Sequence, residues 1–247
     1  MLTGTEAAET WIPHGGFQLE RRKGKTPEGS LLTTDWLVPA WPHDDLTAVH
    51  PIAEQPCLHR VLASCPHDHV VKLAGLYGLL TATGKVARAS DLPPEPVETW
   101  HREIRALRNA TALWDAVAGK DDAALHRALP QHQAAKGKNL LGLAREHLAR
   151  RVTEKIAGGR LELIAPPDEG PSQFTLCHRP VRLIDAIWQR FAEEIAGLIA
   201  CTRCPAPGCG RWFPRNGGRS DRQFCSHACQ VRAWRNGSPS FDAKRSF

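Results

Sequence analysis

The sequence contains no long apolar run and no recognisable leader. No uninterrupted apolar stretch approaches the length of about 18–20 residues that a helix needs to cross a bilayer. The first residues, MLTGTEAAETWIPHGG, lack a basic segment followed by an apolar one, so no secretory signal is predicted. We therefore expect a cytoplasmic protein without a membrane partner, in a reducing compartment where clustered cysteines indicate metal binding rather than disulfides.

Catalytic signatures are also lacking. The sequence shows no Ser/His/Asp order, no paired carboxylates and no nucleophile elbow. The segments GKTPEG and TGKVA lack the flanking strand and the spacing of a phosphate-binding loop. We therefore expect a protein that is not an enzyme.

Acidic residues are scarce at the end of the chain. Residues 201–247 contain nine lysines and arginines but only two acids, Asp221 and Asp242. This segment therefore carries a net charge of +7, whereas the whole chain carries +6, so residues 1–200 sum to −1. Four thiolates with a bound Zn²⁺ would lower the charge of the segment to about +5. A small module of this charge is typical of proteins that bind phosphate backbones.

Helical periodicity dominates the middle of the chain. The clearest example is residues 97–119, whose apolar stripe lies opposite a face with Arg102, Glu103, Arg105 and Arg108. Gly119 is a plausible stop for this helix. Helices are predicted at residues 67–81, 97–119, 121–129, 139–157 and 181–200.

Strand patterns are weaker. Residues 160–164 and 173–177 flank a Pro/Gly-rich loop and predict a β-hairpin. The first 50 residues predict only one or two short strands. We therefore predict a fold that is mainly α with a small β-hairpin, followed by a zinc-stabilised ββα-like module.

The domain organisation follows from this pattern. Residues 1–199 are predicted to form a mostly helical domain that binds a small-molecule ligand or mediates homodimerisation. Residues 200–237 are predicted to form a four-cysteine zinc finger, and residues 238–247 a flexible tail.

A loose group of metal-binding residue types lies near the first predicted helix: Cys57, His59, Cys65, His67 and His69. The spacings Cys-x-His and His-x-His occur in metal sites. However, cysteine is among the most buried residue types, and histidines are common on the solvent side of helices. A structural role is therefore favoured over a second metal site.

Five cysteines crowd the end of the chain, whereas four thiolates fill a tetrahedral zinc site. One ligand set is Cys204, Cys209, Cys225 and Cys229, with the spacing C-x4-C-x15-C-x3-C. The other replaces Cys209 with Cys201, which gives a C-x2-C knuckle. The first set is favoured because Cys201 directly follows a predicted helix, while the turn CPAPGC is rich in proline and glycine.

The segment CPAPGCGRWFPRNGGRSDRQFCSHACQVRAWR resembles the CGNR zinc finger of bacterial regulators that have a mostly helical N-terminal domain. The residues in step with that pattern are Cys204, Cys209, Phe213, Arg219, Arg222, Phe224, Cys225, Ser226, Cys229, Arg232 and Ala233. The Gly-Asn pair that names the family is Gln230-Val231 here. The resemblance implies a zinc-dependent DNA-binding module in which the four cysteines of the first set hold the ion.

The residues around the cysteines agree with this interpretation. Ser226 is placed to cap a helix that runs to about Asn236. Four arginines are candidates for nucleic-acid contacts: Arg219, Arg222, Arg232 and Arg235. We therefore expect a zinc-containing, DNA-binding transcription regulator; the alternative is an RNA-binding or protein-interaction adaptor whose zinc module is purely structural.

Overall fold

A boundary between Ala192 and Glu193 divides the chain into two units, and it falls inside a helix. The computed structural model describes residues 9–25, 31–83, 86–129, 139–164, 175–215 and 222–236. No helix within these ranges is long and apolar enough to cross a membrane. The independent folding of residues 1–199 stays a prediction.

Paired strands open the first unit. The two outer strands pair with each other, the two long inner strands form a hairpin, and a two-residue strand extends that hairpin. All of these pairings are antiparallel. The strands are β1 (Thr10–Pro13), β2 (Phe17–Lys25), β3 (Leu31–Pro39), β4 (Leu46–Val49) and β5 (Glu95–Pro96).

Helices and a second hairpin complete the first unit. The helices are α1 (Pro51–Glu54), α2 (Leu58–Ala63), α3 (Val70–Tyr77), α4 (Val97–Gly119), α5 (Asp122–Ala128), α6 (Leu140–Ile156) and α7 (Leu183–Ile195), and short 3₁₀ turns span His67–His69 and Ala89–Asp91. The hairpin strands are β6 (Arg160–Ile164) and β7 (Thr175–Arg179). The last three residues of α7 belong to the second unit.

The prediction of a mainly α fold is wrong. The described residues also form nine strands, which pair in four small, separate sheets. The error arose in the first 50 residues, which form four strands instead of the one or two short strands that were predicted. Strand β2 carries consecutive charged residues, so it lacks the alternation that marks a strand; backbone pairing and cross-strand contacts hold it instead. One such contact is the ion pair of Arg21 with its register partner Asp35, at 3.1 Å.

The helix predictions agree more closely with the structure than the strand predictions do. Helix α4 has the predicted bounds, and Lys120 ends it in the left-handed conformation, with φ of 50°. Its apolar stripe faces the core, since Trp100, Ile104 and Leu107 are fully buried. The predicted hairpin is confirmed by the pairing of β6 with β7, and residues 173 and 174 of the prediction lie outside the described residues.

Buried Glu95 connects strand β5 with the residues that follow helix α3. Its carboxylate accepts hydrogen bonds from the backbone N–H groups of Leu80 and Thr81, at 2.9 and 3.1 Å, and from the indole of Trp100 at 3.2 Å. Burial raises the pKa of this carboxyl above its ordinary value, and the hydrogen bonds oppose that rise. These donors, together with the Thr81 side chain, offset part of the cost of burying the carboxylate.

A second buried carboxylate connects three helices. The sequence placed Glu103 on the polar face of α4, but its side chain is buried. Both of its oxygens accept from the ammonium group of Lys155 in α6, at 2.7 and 2.8 Å. One oxygen also accepts from the indole N–H of Trp188 in α7, at 3.2 Å. Glu103 is thus a polar anchor between these three helices.

Substitution of Glu103 by alanine is expected to destabilise the protein by about 2–3 kcal/mol, because it leaves Lys155 and the Trp188 indole without their acceptor. The measurement is urea denaturation of the full chain. Glu154→Ala is the matched control, since it removes an exposed carboxylate from the same region of α6. Equal midpoints for the two variants would contradict the anchoring role.

Candidate metal centre

The second unit contains a short hairpin followed by a helix. Strand β8 (Cys201–Arg203) pairs antiparallel with β9 (Trp212–Pro214), with Thr202 opposite Phe213. Helix α8 (His227–Arg235) follows. The helix predicted to begin after Ser226 is confirmed.

The β8–β9 turn positions the first two cysteines. The backbone N–H of Cys204 donates to the carbonyl of Arg211 at 2.8 Å, and that of Cys209 donates to Ala206 at 3.0 Å. The turn requires glycine at two places, since Gly208 and Gly210 have φ of 72° and 60°. The chain is thereby folded back so that both sulfurs point to the same side.

The start of helix α8 positions the other two cysteines. Cys225 lies directly before the N-cap residue Ser226, and Cys229 lies in the first turn of the helix. The Ser226 hydroxyl accepts a hydrogen bond from the Cys229 backbone N–H at 3.3 Å. This cap fixes the first turn and presents Cys229 to the interior, where its side chain is buried.

The four sulfurs converge. Those of Cys204, Cys209, Cys225 and Cys229 all lie within 4.8 Å of one another, and none of them is in a disulfide. The Cys209–Cys225 and Cys225–Cys229 sulfur distances are both 3.5 Å. A tetrahedron with metal–sulfur bonds of about 2.3 Å has edges of about 3.8 Å. The separations therefore suit one tetrahedral metal ion, and the group contains Cys209 rather than Cys201.

The thiols of Cys225 and Cys229 have opposite pKa shifts. Burial, together with hydrogen bonds to the neighbouring sulfurs, raises the pKa of Cys225 to about 12. Hydrogen bonding from Ser226, followed by that from Cys225, lowers the pKa of Cys229 to about 7. Cys229 therefore gives up its proton well before Cys225 does. A metal ion must displace the proton that Cys225 retains at neutral pH.

Few apolar groups support this unit. Its buried cluster consists of Cys204, Ala206, Phe213 and Cys229, with Cys209, Phe224 and Cys225 partly buried against it. A cluster in which cysteines form the majority offers little area for burial once the sulfurs are set aside. Its fold is therefore expected to depend on a bound metal.

The predicted nucleic-acid residues have different surroundings. Arg222 is exposed, but its guanidinium lies 5.3 Å from the ring of Phe213 and donates to the carbonyls of Phe224 and Cys225, at 3.0 Å to the former. It therefore braces the loop that carries Cys225. Arg219 lies outside the described residues.

Arg232 and Arg235 share one face of helix α8. They line a surface groove of about 400 Å³ together with Ala228, Val231 and Asn236. Arg232 also approaches the carbonyl of Pro207 at 3.5 Å. Ala228, Val231 and Asn236 were not among the predicted site residues, although their helical spacing places them on the same face.

The cysteine and histidine residues near residue 60 do not assemble into a site. Cys57 and His59 are fully buried, whereas His67 and His69 are exposed. Within the described part of the first unit, no three of the five predicted residues bring ligand atoms within 4.8 Å of one another. The structural role favoured for them is consistent with these positions.

Comparison with known proteins adds no assignment. The chain matches no protein-family model, no curated protein and no solved structure. The four-cysteine cluster therefore stands on its own geometry, and no match identifies it as a CGNR-type finger.

The pH dependence of metal affinity is expected to show a break near pH 7. Metal affinity falls as the pH is lowered, because the bound form holds fewer protons than the free form. Below about pH 7 the metal must also displace the proton on Cys229. The slope of log affinity against pH should therefore steepen by about one below the break. Competition of Zn²⁺ with a chromophoric chelator, corrected for the chelator's own protonation, measures it.

Ser226→Ala provides the test of the cause. Loss of the hydroxyl should raise the pKa of Cys229 and move the break to higher pH, whereas Ser90→Ala in the first unit should leave it in place. A break at the same pH in both variants would show that Ser226 does not set the ionisation of Cys229.

Proposed function

We propose that the second unit is a zinc-stabilised DNA-binding module of a transcription regulator. The observation that carries the proposal is the combination of the four-sulfur cluster with a surface whose charge is almost entirely positive. Residues 200–236 contain seven arginines and a single acid, Asp221.

Zinc is the ion that these ligands suit best. Thiolate sulfur is a soft ligand, and four cysteines in two close pairs are typical of structural zinc sites. Four protein ligands complete the tetrahedral shell, so no position is left for a substrate or an activated water. The proposed role of the ion is therefore to hold the fold together and not to catalyse a reaction.

Charge supports nucleic acid as the partner. The zinc–tetrathiolate centre contributes −2, so residues 200–236 retain about +4 once Asp221 is included. The described arginines of this stretch are exposed: Arg203, Arg211, Arg215, Arg222, Arg232 and Arg235. Several guanidinium groups on so small a unit favour contact with a phosphate backbone.

Metal analysis of single Cys→Ser variants is expected to separate the two ligand sets. Cys209→Ser should lower the zinc content from one ion per chain, because it opens the four-sulfur shell, whereas Cys201→Ser should retain the ion. Loss of zinc from Cys201→Ser together with retention by Cys209→Ser would establish the C-x2-C knuckle instead.

Duplex DNA binding is expected to weaken steeply as salt rises. Each phosphate contact contributes about 0.9 to the slope of log affinity against log salt concentration. Arg232→Ala should reduce that slope and the affinity, and Arg235→Ala should reduce the affinity, without releasing zinc, since neither residue is a ligand. An electrophoretic mobility assay with full-length protein across a salt series measures both quantities.

Arg150→Ala is the matched control, because it removes the same charge from an exposed position on helix α6. It should leave the salt slope unchanged. A preference for RNA over duplex DNA, or no nucleic-acid binding at low salt, would favour the adaptor function over the regulator.

A further inference from the structure

Helix α8 carries its groove on the side away from its buried contacts. Cys229 and Ala233, four residues apart, face the interior. The residues that line the groove recur at intervals of three and four, so they lie along one stripe of the helix. These residues are Ala228, Val231, Arg232, Arg235 and Asn236.

We propose that this stripe reads base edges in the major groove of duplex DNA, with Arg235 and Asn236 as the main specificity-determining residues. The inference rests on the proposed DNA-binding function and specifies how the module would recognise a DNA sequence. It concerns discrimination between base pairs, whereas the salt dependence proposed above concerns affinity for phosphates.

The chemistry of the stripe matches what base edges offer. A guanidinium pairs with the two acceptors of guanine, and an asparagine amide pairs with the acceptor and donor of adenine. The small apolar side chains of Ala228 and Val231 suit the methyl group of thymine. The stripe carries no acidic group that would repel the surrounding phosphates.

The size of the helix also fits. Nine residues rise about 14 Å along the axis, and a helix with its side chains is about 10–12 Å across. The major groove is about 12 Å wide, so it admits a helix of this diameter. The dimensions of the stripe therefore suit duplex DNA as its partner.

The contacts of the three arginines distinguish those that touch the protein itself from the one that is available to contact a base. Arg222 is engaged with Phe213 and two carbonyls, and Arg232 approaches Pro207. Among the described residues, no group hydrogen-bonds or ion-pairs with the Arg235 side chain. Its planar fork is thus available for a bidentate contact with a base.

The experiment is selection from a random duplex library by the full-length, zinc-loaded protein. The wild type should enrich a short motif, and Arg235→Ala should lower discrimination at one base pair by about tenfold while zinc content is unchanged. Asn236→Ala should relax a different base pair. Arg235→Lys keeps the charge but loses the fork, so it should lose discrimination with little change in salt slope.

Arg211→Ala is the matched control. Arg211 is exposed in the same unit but lies outside α8, so its loss should weaken all sequences equally and leave the motif unchanged. Binding without enrichment, or equal effects of Arg211→Ala and Arg235→Ala on the motif, would overturn the recognition role alone. Failure to bind any duplex at low salt would overturn this inference and the proposed function together.

Discussion

The convergence of four sulfurs is the constraint on which the second unit depends. The β8–β9 turn brings two of them together and the start of α8 brings the other two, yet these segments bury few apolar side chains against each other. Like-charged thiolates repel one another at these distances unless a cation lies between them. A metal ion held by the four sulfurs would replace the hydrophobic core that so short a segment cannot build.

Ser226 connects the start of helix α8 with the ionisation of a candidate metal ligand. Its side chain caps α8 through the Cys229 backbone N–H, and it lowers the pKa of the Cys229 thiol. The residue that starts the helix thus also prepares a ligand. Arg222 adds a brace on the other side of Cys225 by donating to the carbonyls of Phe224 and Cys225. Both interactions involve the backbone within three residues of a cysteine, so the site is ordered largely by local contacts.

Local contacts are also what the sequence could predict. The bounds of α4, the cap at Ser226 and the favoured four-cysteine set follow from short-range spacing, and the structure has them. The strand β2 escaped prediction because its stability lies in pairing with β3, which the charged side chains of β2 do not reveal. The burial of Glu103 escaped for a related reason: its partners lie 52 and 85 residues further along the chain. Helical periodicity assigns a charged residue to the solvent face unless its distant partners are known.

The anchor at Glu103 has a consequence for how the first unit can change over evolutionary time. Its carboxylate is matched to an ammonium group on α6 and to an indole N–H on α7, so a single replacement leaves buried polar atoms without partners. Lineages that lose the acid would have to replace Lys155 as well, and related sequences should show these positions changing together. An apolar pair of similar volume could take their place at little cost, but only if both substitutions arose before selection removed the intermediate.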